Sequence, residues 1–139
     1  MQALSVDDYA RLQQLVRRYQ HRFATDIYRS PRRNPQLTVD LLCFQPFAGE
    51  LCGALLTPVS LSLALVSPTP GGFAAEAPPR RVTLPGGSYP FEPVDLGEGE
   101  GLWCCELLDD LRDLGSLAEA NRMAQHLLAR VMTPAKSAE

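Results

Sequence analysis

The stretch from Leu51 to Val66 is the most apolar in the chain and constrains its fold more than any other segment. Gly53, Thr57, Pro58, Ser60 and Ser62 interrupt it, and it is too short to cross a bilayer as a helix. Beyond Pro58, Val59, Leu61, Leu63 and Leu65 alternate with Ser60, Ser62 and Ala64, a period of two that predicts a strand. Leu51 to Leu56 reads as another strand, set apart by Thr57-Pro58 because proline donates no hydrogen bond to a ladder. Upstream, Leu37, Val39, Leu41 and Cys43 alternate with Thr38, Asp40, Leu42 and Phe44, and a turn at Pro46 to Gly49 makes a hairpin with the next run.

Helices flank this β-rich middle. Tyr9, Leu12, Val16, Tyr19 and Phe23 recur at spacings of three and four, which predicts one apolar stripe on a helix over Val6 to Ile27. Ser5 caps it, Asp7 and Asp8 suit its positive end, and Ser30-Pro31 ends it. Ser116 and Glu119 form an S-x-x-E capping box for a second helix, with Leu117, Ala120, Ala124, Leu127 and Val131 as its buried stripe. Thr133-Pro134 stops it, and residues 133–139 read as a flexible tail.

Ser67 to Pro79, with four prolines and Gly71-Gly72, reads as a long mobile loop. Short strands are expected at Arg81 to Leu84 and Ser88 to Phe91, joined through Pro85-Gly86-Gly87, and Pro90 places the second at a sheet edge. A loop with Gly97, Gly99 and Gly101 leads into a last strand at Leu102 to Leu108. The expected fold is a single α+β domain over residues 1–139, a mainly antiparallel sheet packed against an N-terminal and a C-terminal helix, both on one face.

Known chemistries find no foothold. His21 and His126 lie off the apolar stripes and form no H-E-x-x-H pair. No G-x-S-x-G surrounds any serine. The glycines at 97, 99 and 101 enclose Glu98 and Glu100, which would repel phosphate. Cys43, Cys52, Cys104 and Cys105 contain no C-x-x-C spacing, and adjacent Cys104 and Cys105 point to opposite faces of a strand. They read as free buried thiols; a metal- or cluster-carrying accessory protein using them is the alternative reading. No cofactor and no catalytic residue is expected.

A net charge of −3 and a pI near 5.4 argue against nucleic-acid binding, and no leader-like segment opens the chain, which places it in the cytoplasm. The charges are nonetheless segregated. Arg11, Arg17, Arg18, Arg22, Arg29, Arg32 and Arg33 face only three acids before residue 34, whereas Glu92 to Asp113 holds eight acids against Arg112. Two solvated faces are one reading, and an acidic surface receiving a basic peptide is the sharper one.

The order of these residues resembles a known family. Asn34-Pro35-Gln36-Leu37-Thr38-Val39, Phe44, Gly49, Gly53, Thr57-Pro58, Leu61 and Pro68 are followed by Leu84-Pro85-Gly86-Gly87-Ser88-Tyr89-Pro90-Phe91. The glycines of 97–101, Cys105-Glu106-Leu107 and the helix from Ser116, with Ala120, Ala124 and Leu127, complete the pattern. Over residues 34–132 this resembles the HybE/HupJ family of nickel–iron hydrogenase assembly chaperones. Val59 stands where the family commonly has an aromatic, and Leu108-Asp109-Asp110-Leu111 replaces its usual Ser-Pro continuation.

The resemblance implies a non-enzymatic protein that binds a hydrogenase subunit precursor before export and assembly. The client is the small subunit with its twin-arginine signal, the large subunit, or both. Other maturation proteins, including a rubredoxin-like protein, are further partners the resemblance implies; nucleic acid and direct membrane insertion are not expected. The expected partner-binding residues are Thr57, Pro58, Leu61, Tyr89, Phe91, Trp103, Asp109 and Asp110, with Tyr89 and Trp103 as aromatic anchors and the two aspartates attracting arginines.

Overall fold

A computed structural model describes residues 4–74 and 76–134. The elements run α1 (Val6–Arg29), β1 (Asp40–Phe47), β2 (Glu50–Leu56), β3 (Leu61–Val66), β4 (Arg80–Leu84), β5 (Gly87–Gly97), β6 (Glu100–Leu108) and α2 (Leu117–Val131). The strands form one six-stranded antiparallel sheet in the order β1-β2-β3-β6-β5-β4, curled into a half-barrel. Two meanders, β1-β2-β3 and β4-β5-β6, meet where β3 pairs with β6. The long β3–β4 connection makes β3 to β6 a Greek key.

The single α+β domain with terminal helices is as expected, but the helices do not share a face. Leu61, Leu63 and Leu65 of β3, Cys52, Ala54 and Leu56 of β2, and Cys105 of β6 join Ala120, Ala124, Leu128 and Val131 of α2. The alternate residues Ala64, Val66, Leu51, Leu55 and Leu102 join Leu12, Leu15 and Val16 of α1. The sheet is thus sandwiched, which is why every residue of β3 is buried. Ser62 in β3 reads in sequence as a solvent-facing position; α1 covers that face, and Ser62 is buried with the rest.

In α1, Ser5 Oγ accepts from Asp8 N–H at 3.0 Å and Asp8 Oδ2 accepts from Ser5 N–H at 3.1 Å, a reciprocal box closed by aspartate. Leu15 is fully buried, while Tyr9, at the opposite margin of the expected stripe, is 59% exposed. In α2, Ser116 Oγ accepts from Glu119 N–H at 3.2 Å, and Glu119 reaches Gly115 N–H rather than the cap itself. Leu117 is 47% exposed and Leu128 takes its place in the core, because α2 packs onto the sheet only after its first residue.

Two strands and one loop depart from the expected pattern. β1 starts at Asp40, and a bulge between Leu42 and Gln45 holds Cys43 at a φ of +61°. The bulge turns the Phe44 ring onto Gly53, where a Cβ would not fit. β5 continues past Phe91 to Gly97 and lies between β4 and β6 in the sheet order, although at Pro90 it has a partner strand on one side only, an edge-like position as expected. Its first half, Gly87–Phe91, pairs with β4, and its second half, from Glu92, pairs with β6. Pro90 and Pro93 therefore each sit where the strand has a ladder on one side only, and the missing N–H has an unpaired side to face. The β3–β4 loop is anchored: Arg11 Nε donates to Ser67 O at 3.1 Å, Phe73 N–H donates to Gly99 O at 2.9 Å, and the Phe73 ring lies over Gly101. Within the expected tail, Thr133 and Pro134 are exposed, and 135–139 lie outside the described residues.

Candidate functional site

The C-terminal half of α2 builds a groove against the ends of β5 and β6. Two small residues, Ala120 and Ala124, let the helix lie close to the sheet. At its far end Gly86, in the β4–β5 turn, donates its N–H to Val131 O at 2.7 Å. A Cβ at position 86 would meet that same oxygen at 2.7 Å, so only glycine allows the approach.

The other wall comes from β6. Leu61 pairs with Leu108 and Ser62 with Glu106, which leaves Leu107 as the extra residue of a bulge. The bulge breaks the alternation, so Leu107 and Leu108 face the same side. With Tyr89, Leu127, Val131 and Pro134 they line a groove of about 720 Å³, bordered by His126 and Arg130. It is an open and mainly apolar concavity. Its volume fits a peptide side chain or a short apolar segment.

The expected partner-binding residues divide between surface and core. Tyr89 lines the groove, and Asp109 and Asp110 follow directly on Leu108. Thr57, Pro58, Leu61 and Phe91 are buried and removed from any docking surface. Thr57 Oγ1 accepts the N–H groups of Val59 and Ser60, holding the β2–β3 turn, and Pro58 O accepts from Asn34 N–H. Leu61 lies under the groove as the register partner of Leu108. Trp103 is half-buried at a separate place, 5.5 Å from the Phe73 ring, with the Arg80 guanidinium 5.0 Å from its centroid. Arg80 also forks onto Glu50 at 2.8 and 3.0 Å. Sequence reasoning missed Leu107, Leu108, Leu127, Val131 and Pro134 as lining residues; the signal for the first two was the break in alternation at Leu107-Leu108.

The acids are not bare. Arg32 Nη1 reaches Asp109 Oδ2 at 3.1 Å and Asp109 O at 2.9 Å. Arg112 forks onto Asp110 at 2.7 and 2.9 Å, and these bonds hold the Asp110 carboxyl down at about 2. Glu100 and Glu98 are taken by Arg11 and Arg18. Much of the charge segregation seen in sequence is therefore neutralised within the chain.

The thiols are free, and no three potential ligands converge among the described residues. Cys105 packs on the α2 side and Cys104 on the α1 side. Loss of solvent pushes Cys52 up to about 11 and Cys104 up to about 12. Among the described residues no helix is long and apolar enough to cross a membrane.

Comparison with known proteins gives the fold and site a context. The hydrogenase expression/formation protein HupJ of Bradyrhizobium diazoefficiens is 27% identical over 112 residues, covering 78% of this chain. The chain spans just under two thirds of that relative, 64% of its length. The solution structure of HybE from Escherichia coli superimposes with a TM-score of 0.61 at 18% identity, over 87% of this chain and 76% of that one, a likeness of fold. The family described as NiFe-hydrogenase assembly, chaperone, HybE matches residues 10–139. With nearly the whole chain under that match, this protein belongs to the HybE family of nickel–iron hydrogenase assembly chaperones.

Proposed function

We propose that this chain binds a hydrogenase subunit precursor in the cytoplasm, before export and assembly, and that it does so without catalysis. The observation that carries the reading is the apolar groove of Tyr89, Leu107, Leu108, Leu127 and Val131, with Asp109 and Asp110 next along the chain from its Leu107-Leu108 wall. A twin-arginine signal has paired cations followed by an apolar run, and this arrangement offers acids followed by an apolar groove. The small-subunit precursor is therefore the preferred client over the large subunit. A rubredoxin-like protein or other maturation proteins would join as separate chains.

An incoming arginine competes with Arg32 and Arg112 for the two aspartates. Solvent-exposed pairs of this kind are screened by water and contribute little, so exchange costs little. Asp109, held by one 3.1 Å side-chain contact, is the easier of the two to recruit. Trp103 lies away from the groove, and its replacement is expected to affect binding less than that of Tyr89.

The test is titration of purified small-subunit precursor, signal included, with the wild-type chain and two variants. Tyr89→Ala and Asp109→Lys/Asp110→Lys are each expected to weaken binding by roughly fivefold to thirtyfold, the range of interface positions worth about 1–2 kcal/mol. Circular dichroism checks that both stay folded. Unchanged affinity of the lysine variant in low salt removes the electrostatic part, and unchanged affinity of Tyr89→Ala removes the groove.

A further inference from the structure

The sheet's other face carries a second concave feature of opposite character. Gln14, Arg17, Arg18, His21 and Arg22 of α1, together with Leu96 near the end of β5 and Glu98 of the β5–β6 turn, line an open depression of about 650 Å³. These helix positions recur at spacings of three and four, so they form one flank of α1, beside the apolar stripe that packs on the sheet. Three guanidinium groups and an imidazole meet one carboxylate there. Glu98 takes Arg18 at 3.3 Å, and the half-buried Arg18 is further fixed by Gly97 O at 3.5 Å. Arg17 and Arg22 are exposed and have no carboxylate within 4.0 Å among the described residues, although Asp26 lies one turn from Arg22.

We infer that this depression docks an acidic segment of a second protein, separate from the occupant of the apolar groove. Guanidinium groups around a concavity match carboxylates by forked hydrogen bonds. The chain as a whole is acidic at −3, so this basic flank is a local exception and not part of a general positive field. Nucleic acid is disfavoured because the aromatics of this helix nearest the depression, Tyr19 and Phe23, are packed against the sheet and offer no stacking platform. A lipid surface is disfavoured because Leu96, the one apolar side chain lining the depression, is buried. α1 and α2 lie on opposite faces of the sheet, so both occupants fit at once.

The experiment is fluorescence anisotropy of a labelled glutamate-rich peptide titrated with the intact protein at low and high salt. The peptide is expected to bind at low salt, and Arg17→Glu/Arg22→Glu is expected to weaken it on the order of tenfold with an unchanged melting temperature. Arg81→Glu/Arg122→Glu, at two exposed positions outside both concave features, makes the same change of four charges; it serves as the charge-matched control and is expected to keep most of the affinity. No binding at low salt overturns the inference, and so does an equal loss in Arg81→Glu/Arg122→Glu, which would mark a diffuse charge effect. Tighter binding of a polyuridine oligonucleotide or of phosphatidylserine vesicles than of the peptide also overturns it.

Discussion

The Asn34 side chain donates to Leu111 O at 2.8 Å and Leu114 O at 2.7 Å and accepts from Gln36 N–H at 2.9 Å, while its backbone N–H reaches Pro58 O at 2.8 Å. One buried amide thus ties the α1–β1 linker to the approach of α2 and to the β2–β3 turn. Asn34→Ala leaves two carbonyls without their donor, and a loss of about 2–4 kcal/mol is expected. Urea unfolding measures it as a lower midpoint at unchanged slope. A shift below about 0.5 kcal/mol would mean that the linker is held by other contacts. Arg11 is a related case. Its sequence neighbours suggest a solvated cation, but it is buried against Glu100 at 2.8 Å and Ser67 O at 3.1 Å, closing the sheet at the β3–β4 loop. Residues that carry the family resemblance, Asn34, Gly53, Thr57 and Gly86, hold turns and close approaches, so the pattern reports the fold more than the docking surface.

Among the elements, α2 and the β4–β5 turn act as one unit through Gly86 and Val131. Gly86→Ala would set a methyl against Val131 O and Arg130 O, at 2.7 and 2.8 Å before any shift. The expected outcome is a displaced last turn of α2, faster amide exchange there, and weaker precursor binding through a widened groove. Gly49→Ala provides the contrast. Its φ is +81° but its Cβ meets open space, so a cost of about 1–2 kcal/mol from the left-handed backbone is expected, with α2 exchange unchanged. Equal exchange in the two variants would show that the β4–β5 turn does not position the helix. The β6 bulge belongs at this scale too: with regular pairing, Leu107 and Leu108 would face opposite sides and the groove would lose one wall.

At the scale of the molecule, the sheet separates two concave features of opposite chemistry, apolar beside α2 and basic beside α1. The sheet is fully paired through β2, β3 and β6 and packed on both sides, so it is a rigid partition with little means of relaying a local change. The two occupants are therefore expected to bind independently. Tyr89→Ala should leave glutamate-peptide affinity within twofold, and Arg17→Glu/Arg22→Glu should leave precursor affinity within twofold, roughly the additivity of distant sites. Loss of both ligands in either variant would instead mean one continuous surface.

Local sequence determined the elements. The caps at Ser5 and Ser116, the period-two runs and the proline breaks depend on neighbours within a few residues, and the helices and the existence of the strands followed from them, though not the start of β1 or the length of β5. The fold class and the polar exposure of His21 and His126 were legible on the same grounds. Only tertiary structure decided which face each helix covers, because a buried strand such as Leu61–Val66 reads the same whether one helix or two enclose it. It also decided that Arg11, Arg18 and Arg32 meet Glu100, Glu98 and Asp109, pairs formed across some seventy to ninety residues of chain. The candidate groove was legible only in part. Tyr89 and the aspartates stood out as an aromatic and as charges, but the groove needs a bulge, a glycine contact and a helix end to converge, and these lie far apart in sequence while meeting in space.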